Sequence, residues 1–182
     1  MLLAVQIIIC TAFFMVRYMK IIACCDKFYG FAKNKRIPWM GEDFCKIDLM
    51  HFKKITEGSV VVMGRNTYNE IAGLREIKTT VLPNRDCYVV TSDISNLCQG
   101  AITISSVDEI ETDKEIFIIG GYQLYCQYID KCDEIYLSVI NNNYNCDQFF
   151  PIHLVDGYEC EIVDSGHDLL KFVKYTRNPH KY

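Results

Sequence analysis

The run Val60-Val61-Val62-Met63, followed at once by Gly64-Arg65-Asn66-Thr67, constrains this chain more than any other stretch. Four consecutive apolar residues without alternation read as a strand buried on both faces, which requires layers packed above and below a sheet. The residues behind it open a helix from about Asn66 to Ala72. A strand running into a helix through glycine presents unpaired amides and the positive end of the helix dipole to an approaching anion, and Arg65 adds a cationic fork suited to phosphate. An ordinary strand-to-helix turn with an exposed arginine looks the same, so the tetrapeptide needs a second feature beside it.

That feature lies upstream. Ile37-Pro38-Trp39 reads as a turn, and a helix is predicted from Asp48 to Thr56, stopped at Glu57-Gly58. Leu49, Phe52 and Ile55 recur at the spacing of one helical face, with His51, Lys53 and Lys54 on the others. Asp48 sits beside the apolar face, where a carboxylate is costly unless it is hydrogen-bonded or protonated. It reads either as an N-cap satisfying its own helix or as a functional carboxylate. Glu42 and Asp43 compete for the second role.

Strand, glycine and helix recur at Glu115 to Ile119, Gly120-Gly121 and the helical pattern Tyr122, Leu124, Tyr125, Tyr128. This is again a place for phosphate or a flat ring, or simply a tight turn. Ile21 to Cys25 reads as a central strand, Asp26 to Arg36 as a loop and Gly73 to Pro83 as an irregular connection. Arg85 precedes the strand Cys87 to Thr91, and Thr91-Ser92 offers hydroxyls at a strand end, where ligands gather in α/β sheets. Ala101 to Ser105 alternates as a strand, and Ser106-Val107-Asp108-Glu109 has capping-box spacing. Ser138, inside the strand Glu134 to Ile140, is a satisfied core hydroxyl or a site donor. Tyr158 to Val163 and Leu170 to Arg177 form a hairpin around Asp164-Ser165-Gly166. The fold class is α/β: one twisted, mixed, mostly parallel sheet with helices on both faces and a C-terminal antiparallel hairpin.

Composition narrows the chemistry. A chain of 182 residues fits one domain with a sizeable core, and 50% hydrophobic against 23% charged residues argues against disorder. A net charge of -4 leaves no basic footprint for nucleic acid and favours a small-molecule partner. The ten cysteines form no Cys-x-x-Cys pair, and several lie in apolar runs, so they read as core thiols of a reducing compartment. His51, His153, His167 and His180 make no metal-ligand spacing, so no metal is expected. Residues 1–18 hold an apolar run to Val16, broken by Gln6 and Thr11 and too short for a confident membrane span. The simplest account is an upstream start, with Met19 the functional first residue and the domain running over 19–182. A membrane tether or an interaction arm is the alternative.

From Met19 onward the chain resembles dihydrofolate reductase. The resemblance rests on an ordered set: Ile37-Pro38-Trp39, Asp48-Leu49 with Phe52-Lys53, Met63-Gly64-Arg65 with Thr67, Leu82-Pro83 with Arg85, Val90-Thr91-Ser92, Ile119-Gly120-Gly121 and Phe150-Pro151. It implies NADPH-dependent reduction of 7,8-dihydrofolate to tetrahydrofolate, by hydride transfer to C6 with protonation at N5. Asp48 matches the carboxylate that binds the pterin's amide and 2-amino edge, and Ser138 matches a hydroxyl joined to it, usually a threonine. Trp39 matches the residue beside a mobile loop. Leu49, Phe52, Ile71 and Leu82 match the apolar walls around substrate, and Arg85 matches the clamp on its glutamate tail. Arg65, Thr91 and Ser92 match the group around the cofactor's 2′-phosphate. Gly64, Asn66 and Thr67, with Gly121, Tyr122, Gln123, Leu124 and Tyr125, match the pyrophosphate contacts at two helix starts. Ala23, Ile119, Gly120 and Tyr125 match positions near the nicotinamide.

The chain departs from the family's pattern in a long spacing from Trp39 to Asp48, in Ala32 for a common loop glycine, and in Asn84 for the glycine before Arg85. A cytoplasmic monomer is expected. The alternatives are the pyrimidine reductase of riboflavin synthesis, which shares the fold, and a non-catalytic NADPH- or folate-binding module.

Overall fold

The computed structural model describes residues 18–74, 76–77 and 79–178. The expected extension over residues 1–18 therefore lies outside the described residues except for Tyr18. In chain order come β1 (Met19–Asp26), β2 (Gly30–Ala32), α1 (Cys45–Thr56), β3 (Val60–Gly64), α2 (Arg65–Gly73), β4 (Asp86–Val90), β5 (Ile102–Ile104), β6 (Ile116–Gly120), α3 (Tyr122–Tyr128), β7 (Glu134–Ile140), β8 (Gln148–Phe149), β9 (Tyr158–His167) and β10 (Leu170–Arg177).

The continuous apolar runs become the middle of one sheet. Its order is β5-β4-β3-β6-β1-β7-β10-β9, parallel from β5 to β7, with β10 antiparallel to both β7 and β9. Alternation sorts the side chains into two layers. Ile21, Ala23, Val60, Val62, Ile116 and Ile118 pack with Leu124, Tyr125 and Tyr128 of α3 on one face. Ile22, Val61, Met63 and Phe117 pack with Tyr68 of α2, and with Phe52 and Ile55 of α1, on the other. A third cluster, Trp39, Phe44, Ile140, Leu170 and Phe172, fills the corner where the chain enters α1. Burying each large side chain in these layers contributes about 1.5–3 kcal/mol.

Three local readings are corrected. α1 opens at Cys45, with Phe44 as an N-cap that makes no side-chain cap bond, and the Asp48 amide already donates to the Phe44 carbonyl. Asp48 is therefore inside the first turn, and its side chain is free of capping duty. β9 continues through 164–166 to His167, so the hairpin turns at Asp168-Leu169. The stretch read as a loop at 26–36 contains β2, which pairs with β8 in a small separate sheet. Buried Asp26 ties this region together by accepting from the Phe28 and Gly30 amides at 2.9 Å each and from Tyr144 at 3.1 Å. Among the described residues no helix is long and apolar enough to cross a membrane.

Candidate active site

The carboxyl ends of the parallel strands open into a cavity of about 1110 Å³. Ala23 and Cys24 of β1, Gly64 of β3, Val90 at the end of β4 with Thr91 and Ser92 after it, Ser105 after β5, and Ile119 and Gly120 of β6 all line it, as parallel strand ends do in α/β proteins. α1 supplies Asp48, Leu49 and Phe52 to one wall, α2 supplies Arg65 to Thr67 and Glu70, and α3 supplies Tyr122 to Tyr125.

The floor is made of glycine because two backbones meet there. A Cβ on Gly120, whose φ is +136°, would stand 3.0 Å from the Thr67 hydroxyl and 3.4 Å from that of Tyr125. One on Gly64 would lie 3.7 Å from the Gly121 amide nitrogen. Gly120 and Gly121 are joined by a cis peptide. Gly64 and Gly121 are also the N-caps of α2 and α3, and neither helix start has a side-chain cap. Two sets of helix-start amides thus face one space without a local acceptor. Arg65 lies along this wall, donating to the Asp93 carbonyl at 3.4 Å, the Asn96 carbonyl and the Cys98 sulfur at 2.7 Å, so its fork is held by the 93–98 loop. The donor set fits an elongated anionic ligand such as a phosphorylated dinucleotide.

Across the cavity the chemistry changes. Burial pushes the Asp48 carboxyl above its ordinary range, and hydrogen bonds donated by the Ser138 hydroxyl and the Cys24 thiol hold it partly down. Ser138 is itself buried and reaches the cavity only through Asp48. Trp39 is buried with its ring edge toward Tyr144 at 5.3 Å, and its carbonyl accepts from the Cys45 thiol at 2.8 Å. Glu42 and Asp43 are exposed and absent from the lining, so Asp48 is the acid on this wall.

The family profile for dihydrofolate reductase matches residues 18–174. The chain belongs to the dihydrofolate reductase family. Among relatives, the dihydrofolate reductase of Staphylococcus aureus strain Mu50 is 37% identical over 127 residues, covering 69% of this chain and 73% of the relative. That of Bacillus subtilis strain 168 is 30% identical over 154 residues, covering 82% of each. A solved structure of dihydrofolate reductase from Enterococcus faecalis, complexed with NADP(H) and RAB-propyl, superposes with a TM-score of 0.72 at 27% identity. It covers 88% of this chain and 96% of that one.

Most residues expected from the dihydrofolate reductase pattern meet in this cavity: Trp39, Asp48, Ala23, Leu49, Phe52 and Ile119 on one side, with Gly64, Arg65, Asn66, Thr67, Thr91, Ser92, Gly120, Gly121, Tyr122, Gln123, Leu124 and Tyr125 on the other. Ile71 and Leu82 pack instead in the layer beneath α1 and α2. Arg85 is buried behind Phe52, its guanidinium 5.5 Å from that ring, donating to Thr56 Oγ1 and the Pro83 carbonyl at 2.8 Å each and to the Lys53 carbonyl at 3.3 Å. The residues that sequence reasoning missed are Cys24, taken for core, and Glu70, whose carboxylate accepts the Ile37 amide at 2.7 Å across the cavity. The position of Cys24 toward the carboxyl end of a central parallel strand was the available signal. Glu70 carried none.

Proposed function

We propose that this chain reduces 7,8-dihydrofolate with NADPH to give 5,6,7,8-tetrahydrofolate. The observation that carries the reading is one cavity with a partly buried carboxylate, Asp48, on one wall and paired helix starts with Arg65 on the other. NADPH held at this glycine floor would supply the hydride that C6 of the pterin accepts, with a proton taken up at N5 completing the reduction and NADP⁺ left as the oxidised product.

The protein's part is placement and charge. Asp48 accepts the amide and 2-amino hydrogens of the pterin edge, anchoring the ring and stabilising the form protonated at N5. Ser138 orients that carboxylate. Trp39 and the loop before it cover the reacting atoms, and excluding water there strengthens the electrostatics of Asp48. Leu49 and Phe52 flank the rings of the substrate, Ile71 and Leu82 back them, and Arg85, held by Thr56 and by the Pro83 and Lys53 carbonyls, supports Phe52 from behind rather than lining the cavity. Ala23 and Ile119 border the nicotinamide, and the glycines let it approach. Thr91 and Ser92 join Arg65 around the 2′-phosphate, while Asn66, Thr67 and Tyr122 to Tyr125 border the pyrophosphate. The reading extends to a monomer in one-carbon metabolism and to a cytoplasmic location, the last supported by nine free cysteines among the described residues.

Asp48→Asn tests it. Dihydrofolate-dependent loss of reduced nicotinamide should slow by about 10²- to 10⁴-fold, while NADPH binding, followed by its fluorescence, stays within a factor of two. Full turnover in the variant removes Asp48 from the chemistry. Arg65→Ala should weaken NADPH by about ten- to a hundredfold and leave NADH nearly unchanged, as expected for loss of charge-assisted bonds to one phosphate. Equal losses for both cofactors remove Arg65 from that site.

A further inference from the structure

Beside Asp48 stands a thiol with no role in the reading above. Cys24 is half-buried on the cavity wall, near the carboxyl end of β1. In the parallel pairing of β1 with β7 it lies opposite Ser138, so both side chains project from the same face of the sheet. α1 carries the Asp48 carboxylate over that pair, within hydrogen-bonding reach of both.

The other titratable groups near this carboxylate are differently placed. Cys45, on α1 itself, gives its thiol to the Trp39 carbonyl at 2.8 Å. Cys25 interacts electrostatically with Asp48, but strand alternation turns it to the opposite face, beside Asp26 and Cys146. Among the described residues, Ser138 and Cys24 are the side chains placed to donate to Asp48.

We propose that Cys24 is a second positioning residue of this site, its thiol sharing with Ser138 the task of fixing the Asp48 carboxylate against the bound ring. The role rests on the reading of Asp48 as the ligand-binding acid. A carboxylate has about four acceptor positions. Two donors on neighbouring strands occupy the sheet side, leaving the cavity side for the paired N–H groups of a pterin. Two bonds from a rigid sheet also restrain rotation about the Asp48 side chain more than one does.

The test titrates Asp48 in the full chain without turnover, by carbon-13 NMR of its carboxyl carbon, with Asp48→Asn assigning the signal. Cys24→Ala removes a donor to the ionised form, so the midpoint should move up, and Cys24→Ser, which keeps a donor, should bring it back. In turnover, Cys24→Ala should raise the KM for dihydrofolate about three- to tenfold, the range of one hydrogen bond, with a smaller effect on kcat. An unchanged midpoint in Cys24→Ala, under conditions where Ser138→Ala moves it, overturns the proposal. Should Cys24→Ala not fold, the infrared S–H band of the unsubstituted chain decides. That band, identified by its loss in Cys24→Ser, shifts as Asp48 titrates if the bond exists, and stays fixed if it does not. The expected titration without dihydrofolate turnover would leave the hydrogen bond standing and overturn the reductase reading instead.

Discussion

Asp48 is pulled in opposite directions by folding and by ligand binding. Its carboxyl holds a proton to higher pH in the folded chain than in the unfolded one, because burial penalises the anion more than Ser138 and Cys24 favour it. The folded state thus binds more protons within that window, and stability falls as pH rises from the ordinary carboxylate range to the raised value. The deficit is complete once pH exceeds the raised value. Asp48→Asn should therefore melt higher near pH 7, by about 2–4 °C for a gain on the order of 1 kcal/mol, and the difference should vanish at about pH 3, where both forms are neutral. An equal gain at both pH values would mean that ionisation is not its source. The chemical step is expected to slow above neutrality, since the pterin must gain a proton at N5. A flat alkaline profile for hydride transfer counts against the assigned role. At this scale Asp48 and Arg65 were legible because a charge beside an apolar face or a glycine turn is costly or conspicuous. Cys24 was not, since a thiol in an apolar run looks the same whether it faces core or cavity.

Among elements, α2 and the segment before Pro38 are fastened together across the cavity by the Glu70 carboxylate and the Ile37 amide, 2.7 Å apart. Glu70→Ala should speed hydrogen exchange at the Ile37 amide about ten- to a hundredfold, while Glu70→Gln, which keeps an acceptor, should preserve most of the protection. Identical exchange in all three proteins would show that the segment is held by something else. Elsewhere in the sheet, Glu134 opens β7 between β1 and β10. Its burial would raise its pKa, yet bonds from Lys174, Lys20 and Tyr136 outweigh that and bring it down to about 2. A depressed carboxylate stabilises the fold above its ordinary value and loses that contribution as pH falls. Glu134→Gln should accordingly lower Tm by about 3–6 °C near neutrality, with the gap closing toward pH of about 2. Strands and helices with strong patterns were readable, and α3 begins and ends where its apolar spacing indicated. β2 and β8 were missed because three and two residues carry no period. The start of α1 was misplaced because Asp48 resembles a cap, whereas the true first turn, Cys45-Lys46-Ile47, announces nothing.

For the molecule as a whole, the ordered motifs specified a sheet whose strand ends would converge, and they do so along a single hollow. What sequence could not convey is which apolar residues face that hollow: Leu49 borders it and is largely exposed, while Ile71 and Leu82 turn into the layer below. Ile71 sits on α2 and Leu82 in the connection before β4, and an apolar side chain reads the same in sequence whichever side it turns to. The hollow has a further consequence. Asp48 and the glycine floor line the same continuous space, so on the proposed reading a ring at one end and a ring at the other would lie against each other. Each occupant then forms part of the other's binding site, and their affinities are thermodynamically linked. The factor by which a folate analogue tightens NADPH must equal the factor by which NADPH tightens the analogue. Calorimetric titration in both orders measures it, and a factor well above one means that each guest is held more tightly once the other is in place, by the same amount whichever arrives first.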